Sequence, residues 1–475
     1  MNSRTISDLL TRHKAVFELS NGESLVLKNP QKFVSQTLDQ LVANAVFGES
    51  EEVRSGARWI IRRAGLDLGV VPSSIQGLYE ARARKECKGF TVPAINIRGL
   101  SYDVARAVFR AALRLKAGAF IFELTRTESH YTDQRPAEYA AVILAAAIRE
   151  GFEGPVFIQG DHYKVNAHKF AKDPESEMQS VRDFCLESVA AGYYNIDIDA
   201  STLVTLDKPG VHEQQRANYE ASASLAAYLR SVEPPGVTLT LGGEIGEIGE
   251  RNSTPEELAS FMDGFAETLS RRSRYKKGLA KISVQTGTRD GGVVLPDGSI
   301  TQVAIDFETL RALSALARDR YGMAGAVQHG ASTLPAEAFH KFVECEAAEV
   351  HLATEFQNMI YESTAFPRDL KEEIYKTLKK LCADERRPSD TDAQFLYKTR
   401  KKAFGPFKRK FWDLSADVRS RLGRELEMKF SFLFEQLNLQ RTAELVKKTV
   451  TLVPVAPAAP AALSETSVKV GKSDG

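Results

Sequence analysis

The chain has 475 residues, 43% hydrophobic and 26% charged, and its 63 basic and 62 acidic side chains leave a formal net charge of +1. That composition is globular and long enough to bury a large core, while the near-neutral charge argues against a whole-protein nucleic-acid or membrane-surface role, since both need a basic field. Cys87, Cys185, Cys345 and Cys382 form no CxxC pair, the N-terminal MNSRTISDLLTRHK has no apolar signal core, and no apolar run reaches the roughly 18 residues of a membrane span; a reduced cytoplasmic protein is expected.

In chain order, residues 1–88 are expected to form a helical N-terminal extension. Val53, Trp59, Ile60, Ile61, Leu66 and Leu68 recur among Arg and Glu at helical spacing, and Val70-Val71-Pro72-Ser73-Ser74 breaks the pattern. From residue 89 short apolar runs alternate with amphipathic stretches. The runs are 92–97, 119–124, 155–160, 195–200, 237–241, 280–286, 325–328 and 349–353. Each has strand length, and nearly all read as apolar on both faces, as parallel strands covered by helices do. Between them, Ser101 is placed to cap a helix over 102–116, and Thr254-Pro255-Glu256-Glu257 is a capping box opening a helix over 255–269. Stretches 176–191 and 213–230 share the helical texture. Eight βα units in series predict an α/β chain whose residues 89–366 form a (β/α)8 TIM barrel. The rival, an open doubly wound sheet, usually has fewer strands and a Gly-rich first turn. Residues 367–448 are expected to form a helical C-terminal extension, with helices over 369–381 and 415–448. The basic and aromatic residues of 400–412 either grip a phosphate-rich ligand or form a solvated face whose aromatics pack inward, and the neutral total charge favours the second. The Ala/Pro-rich 449–475 is expected to be a disordered tail.

Polar residues gather where the predicted strands end. Asn96 ends the first and Gly160-Asp161-His162 the third. Asp197, Asp199 and Ser201 close the fourth, Gly242-Gly243-Glu244 the fifth and Thr286-Gly287-Thr288-Arg289-Asp290-Gly291-Gly292 the sixth. His329-Gly330-Ala331-Ser332 and Thr354-Glu355 follow the seventh and eighth. A barrel brings these ends to one mouth, where its enzymes keep their active sites. His162, His329 and Glu244 make a three-ligand set with open positions for substrate, and a metal there polarises a carbonyl and stabilises an enediolate. Asp161 is placed to exchange a proton with substrate. Gly291-Gly292 and Gly330-Ala331-Ser332 let backbone N–H groups approach a phosphate, although each cluster alone also reads as a tight turn. His13, His130, His168, His212 and His340 read as surface or packing residues.

These segments, with Pro93-Ala94-Ile95-Asn96, Ile196-Asp197-Ile198-Asp199-Ala200-Ser201, Gly287-Thr288-x-x-Gly291 and Val350-His351-Leu352-Ala353-Thr354-Glu355, resemble the class II, metal-dependent fructose-bisphosphate and tagatose-bisphosphate aldolases over about residues 89–360. The resemblance implies a zinc (or other divalent-metal) enzyme making or cleaving a C–C bond beside dihydroxyacetone phosphate, through its enediolate. It implies Asp161 as the proton-transfer carboxylate and His162 and His329 as metal ligands. Asp199 and Glu244 would line a secondary metal position, with Glu244 also a candidate direct ligand. Gly291, Gly330, Ser332 and Thr354 would surround the phosphate, with Asn96 near the substrate. A homo-oligomer is expected, with a phosphorylated sugar as the bound partner and neither nucleic acid nor membrane.

Three positions depart from the family pattern. Asp290 stands where a histidine ligand is usual; a carboxylate there weakens the Lewis acid or shifts preference toward Mn or Mg. The loop after the fifth strand reads Gly249-Glu250-Arg251-Asn252, making Glu250 the nearest candidate base and Glu247 the second. His351 replaces a substrate-contacting asparagine. Gly160-Asp161-His162 followed by Asn166 is also similar to the non-catalytic companion subunit of the tagatose-bisphosphate enzyme. A degenerate barrel acting as a binding or scaffolding subunit is therefore the alternative to an active aldolase.

Overall fold

The computed structural model describes residues 3–20, 24–245, 251–274, 277–287, 293–296, 300–301 and 305–463. Eight parallel strands close into a barrel: β1 (Val92–Asn96), β2 (Ile121–Thr125), β3 (Gly154–Lys164), β4 (Asn195–Asp199), β5 (Thr240–Glu244), β6 (Lys281–Val284), β7 (Ala326–Gln328) and β8 (Glu349–Leu352). Each pairs with its neighbours in sequence, and β8 returns to β1 through Glu349↔Val92 to Leu352↔Ile95. Every residue of β1 and of β4 to β8 is buried. Helices cover the outer face of the barrel, and side chains fill its interior. The helix Pro255–Arg272 opens on the expected capping box, Thr254 and Glu257 each bonding the other's backbone N–H.

Several expectations are corrected. Ser101 does not cap its helix: Leu100 is the N-cap, and the Ser101 hydroxyl donates to Gln134. The N-terminal extension is not wholly helical. Phe17–Ser20 and Ser24–Leu27 form a hairpin, and Val70–Ser73 is a ninth parallel strand on Gly154–Phe157 of β3. That strand occupies the edge of β3 that pairs with β4 from Gln159 onward. Asn195 closes the junction, accepting from the Ile75 N–H and donating to the Ser73 and Ile158 carbonyls. The predicted helix 415–448 is two helices, Ala416–Gln436 and Thr442–Thr449, because Asn438 and Arg441 take left-handed backbone.

The extensions seal the end of the barrel where the strands begin. Buried Arg82 donates to the carbonyls of Phe90, Glu346 and Ala347. Thr91 N–H donates to Leu437 O, and Thr442 Oγ accepts from Gly118 and Ala119. The tail is a further correction: up to Leu463 it packs on the N-terminal helices, with Trp59 Nε1 donating to Pro457 O at 3.1 Å and Leu463 fully buried. In the basic segment, Phe404, Phe407 and Phe411 are buried and Arg409 stacks on Phe47 at 4.0 Å, so its aromatics do pack inward. Among the described residues, no helix is long and apolar enough to cross a membrane.

Candidate functional site

The site begins with an irregularity in β3. Side chains alternate along a strand, so consecutive residues normally face opposite sides. The β3–β4 register shifts between Gly160 and Tyr163, and His162 sits at φ 42°. A bulge of this kind re-aims side chains beside active sites. Here it lets Asp161 and His162 line the same cleft. Gly160 is required for the turn, because a Cβ there would lie 2.3 Å from the Tyr163 ring.

Asp161, His162, Glu244 and His329 converge as the sequence predicts. Asp161 Oδ1 is 3.4 Å from His329 Nε2 and 3.9 Å from His162 Nε2. Glu244 Oε2 is 3.8 Å from His329 Nδ1 and 4.0 Å from His162 Nδ1. The two imidazoles are 4.2 Å apart between centroids. Asp199 lies behind His162, 2.9 Å from Nδ1, and also accepts from the Ser201 N–H and hydroxyl. It bonds one ring nitrogen and leaves Nε2 toward Asp161, the carboxylate–histidine pairing that orients metal ligands. This contact places Asp199 to orient the His162 ring. Asp199→Ala is expected to weaken metal binding about 10–100-fold, measured by metal titration of the apoprotein; unchanged affinity would show that His162 is oriented without it.

Asn96, Gly330, Ser332 and Thr354 line the same cleft, a space of about 70 Å³, with Arg98 and Glu128 beside them. Asn96 donates to Glu128 at 2.6 Å, and Arg98 pairs with Glu128 at 2.7 Å. Glu250 (with Glu247), Asp290 and Gly291 lie outside the described residues.

Charge explains why a cation suits this mouth. Burial disfavours a charged His162, but Asp161, Asp199 and Glu244 raise its pKa well above the ordinary value. Three carboxylates thus demand positive charge there, whether as a proton or a metal. Burial, then His162 and His351, hold His329 down at about 4, which keeps it a neutral imidazole able to ligate. Two imidazoles and a carboxylate fit the donor preferences of zinc.

Below the mouth lies an ionic layer that the sequence reading missed. The Lys281 ammonium, on β6, is 2.7 Å from Gln159 Oε1, 3.0 Å from Asp197 Oδ2 and 2.5 Å from Glu349 Oε2. Tyr79, from the helix Gln76–Ala83, donates to Glu349 from the sealed end. Burial opposes ionisation of Glu349, yet Lys281 and His351 more than offset it and set its carboxyl at about 2. Burial raises Asp197 to about 6, with Lys281 offsetting part of the effect. His351 stands between this layer and the mouth, its ring 4.3 Å from that of His329. The available signal was charge inside the strands themselves: Glu123, Lys281 and Glu349 lie in runs read as apolar, and a buried charge requires a partner.

The sequence matches the family described as "Fructose-bisphosphate aldolase class-II" over residues 78–405. No curated protein matches. Similar solved structures include a putative fructose-1,6-biphosphate aldolase from Coccidioides immitis, 18% identical, covering 78% of this chain and 97% of that one at a TM-score of 0.45. The fructose-bisphosphate aldolase of Campylobacter jejuni is 17% identical, with 79% and 98% covered and a TM-score of 0.45. A fructuronate-tagaturonate epimerase from Cohnella laeviribosi is 10% identical, with 74% and 82% covered and a TM-score of 0.53. At that identity the epimerase shares the fold alone.

Proposed function

Because the chain belongs to the class-II fructose-bisphosphate aldolase family, we propose that it is a metal-dependent aldolase that cleaves or forms a ketose bisphosphate, fructose 1,6-bisphosphate or tagatose 1,6-bisphosphate. The observation that carries this reading is the meeting of Asp161, His162, Glu244 and His329, from the ends of three strands, around one space. His162, His329 and Glu244 would hold the cation, which when bound would supply Lewis-acid polarisation of the substrate carbonyl and charge stabilisation of the enediolate.

The chain's own groups do the rest. Burial favours a neutral Asp161, but His162 and His351 hold its pKa well below the ordinary carboxylate range, so it stands ionised with its lone pairs open to a proton, although as a weak base. In cleavage it takes the proton of the C4 hydroxyl. The C3–C4 bond then breaks, its electron pair passes toward the C2 carbonyl, and C4 leaves as an aldehyde. Reprotonation at C3 releases dihydroxyacetone phosphate, and Glu250 is the candidate donor. Gly330, Ser332 and Thr354 take the phosphate, and Asn96, fixed by Glu128, takes a substrate hydroxyl.

The test is aldol cleavage of both ketose bisphosphates by purified protein, first stripped with chelator and then resupplied with Zn2+, Mn2+ or Mg2+. Turnover is expected only after metal return. Absence of turnover with every cation would favour the non-catalytic scaffolding subunit instead.

A further inference from the structure

We propose that the barrel holds a second divalent cation, bound by Glu123, Asp161 and His351 and sharing Asp161 with the cation of the mouth. This site is distinct from the secondary position implied at Asp199 and Glu244. It rests on the metal-dependent reading of its neighbour.

The first observation is the orientation of His351. Its Nε2 is 2.9 Å from Glu349 Oε2, and Glu349 is itself anchored by Lys281 and Tyr79. Nε2 is therefore committed to Glu349, and Nδ1 is the nitrogen left to take either a proton or a cation. A carboxylate fixing one imidazole nitrogen so that the other faces a cation is the usual support of a histidine ligand.

Next is what Nδ1 meets. It is buried and makes no hydrogen bond, although Glu123 Oε2 lies 3.1 Å away and Asp161 Oδ1 3.3 Å away. The separations are short enough, but the directions are wrong for an N–H bond. A cation in front of Nδ1 would give the nitrogen and both oxygens a common partner. Ligand atoms 2.0–2.2 Å from one cation, at tetrahedral to octahedral angles, stand roughly 3.0–3.5 Å apart. Both N···O separations fall in that interval, and the three ligand atoms all lie within 4.8 Å of one another. A mirror group, Asp197, Glu349 and His351 Nε2, also lies within 4.8 Å, but the Lys281 ammonium already serves it.

Charge supplies a third observation. Glu123, Asp161, Asp197, Asp199, Glu244 and Glu349 are buried carboxylates around this axis, and Lys281 is the buried ammonium that faces them. A buried charge must be compensated. Glu123 and Asp161 meet the His351 ring there, and a second divalent cation takes over the compensation that a proton on that ring otherwise supplies. Two carboxylates with one imidazole favour a harder ion such as Mn2+. Paired cations of this kind brace two oxygens of a substrate together. Asp161 Oδ1 is the shared atom, 3.4 Å from His329 Nε2 and 3.3 Å from His351 Nδ1. Its second oxygen is left for proton transfer.

The test titrates metal-free full-length protein with Mn2+, reading bound metal by elemental analysis and the ion's surroundings by electron paramagnetic resonance. The wild-type chain is expected to bind about two equivalents with an exchange-coupled spectrum. His351→Asn and Glu123→Gln are each expected to bind about one, with the hyperfine pattern of an isolated ion. Circular dichroism identifies a variant that fails to fold, and the other then carries the comparison. A single uncoupled ion in wild type and variants alike overturns this inference and leaves the aldolase reading intact. No bound ion in any of them overturns both.

Discussion

Aldol cleavage by His329→Ala is expected to fall by about 10³-fold or more, because a Lewis acid supplies several kcal/mol of transition-state stabilisation. His329 is the ring that its surroundings keep neutral, at about 4, so it ligates without first losing a proton. It also sits between Asp161 and Glu244, at 3.4 and 3.8 Å. Its loss leaves His162 and Glu244 to hold the cation at the mouth. The measurement is kcat and kcat/KM from a full substrate titration at saturating metal, with bound metal determined on the same sample. A variant that retains both wild-type rate and wild-type metal content would remove His329 from the site.

Lys281→Met is expected to destabilise the fold by about 3–5 kcal/mol, the usual cost of stripping one partner from a buried ion pair. Glu349 is wholly buried and Asp197 nearly so, and both lean on this ammonium. Denaturant unfolding measures the loss. Adding Glu349→Gln to the variant should restore part of it, because the carboxylate no longer lacks its counter-charge; a double variant no more stable than the single would show that the layer is not held electrostatically. The pH dependence follows the same pair. Burial works against the charged lysine, but Asp197 and Glu349 raise its pKa above the ordinary 10.5. Its contribution is thus fully present below that value and is lost only as alkaline pH approaches the raised one. The methionine variant should lack that alkaline decline.

The barrel was legible because each strand carries its own local signature. A run such as Asn195–Asp199, short and bracketed by helical texture, reads as a covered strand wherever it lies. Val70–Ser73 was not legible as a strand: four residues with a proline look like a helix break, and only their register on Gly154–Phe157 makes them part of the sheet. The tail misled in the same way, since Ala/Pro composition reports weak self-structure and says nothing of the Trp59 indole that donates to it.

At the site, residue type was readable and partnership was not. Asp161, His162, Glu244 and His329 could be named because they follow strands, and strands of a barrel end together. The bulge that turns Asp161 and His162 to the same side is a matter of register and leaves no periodic trace. His351 read only as a departure from an asparagine. Its significance lies in Nε2 resting on Glu349 while Nδ1 faces Glu123 and Asp161.

By itself the sequence determined the barrel, the rim on which its polar residues stand and the family to which they belong, because hydrophobic period and strand-end chemistry are local properties. Only the tertiary structure decided which carboxylate orients His162, which ones surround Lys281 and what His351 faces. Ion pairing and coordination depend on separations of a few ångströms between atoms far apart in the chain, as Lys281 is from Gln159 by 122 residues, and those separations exist only once the strands have closed.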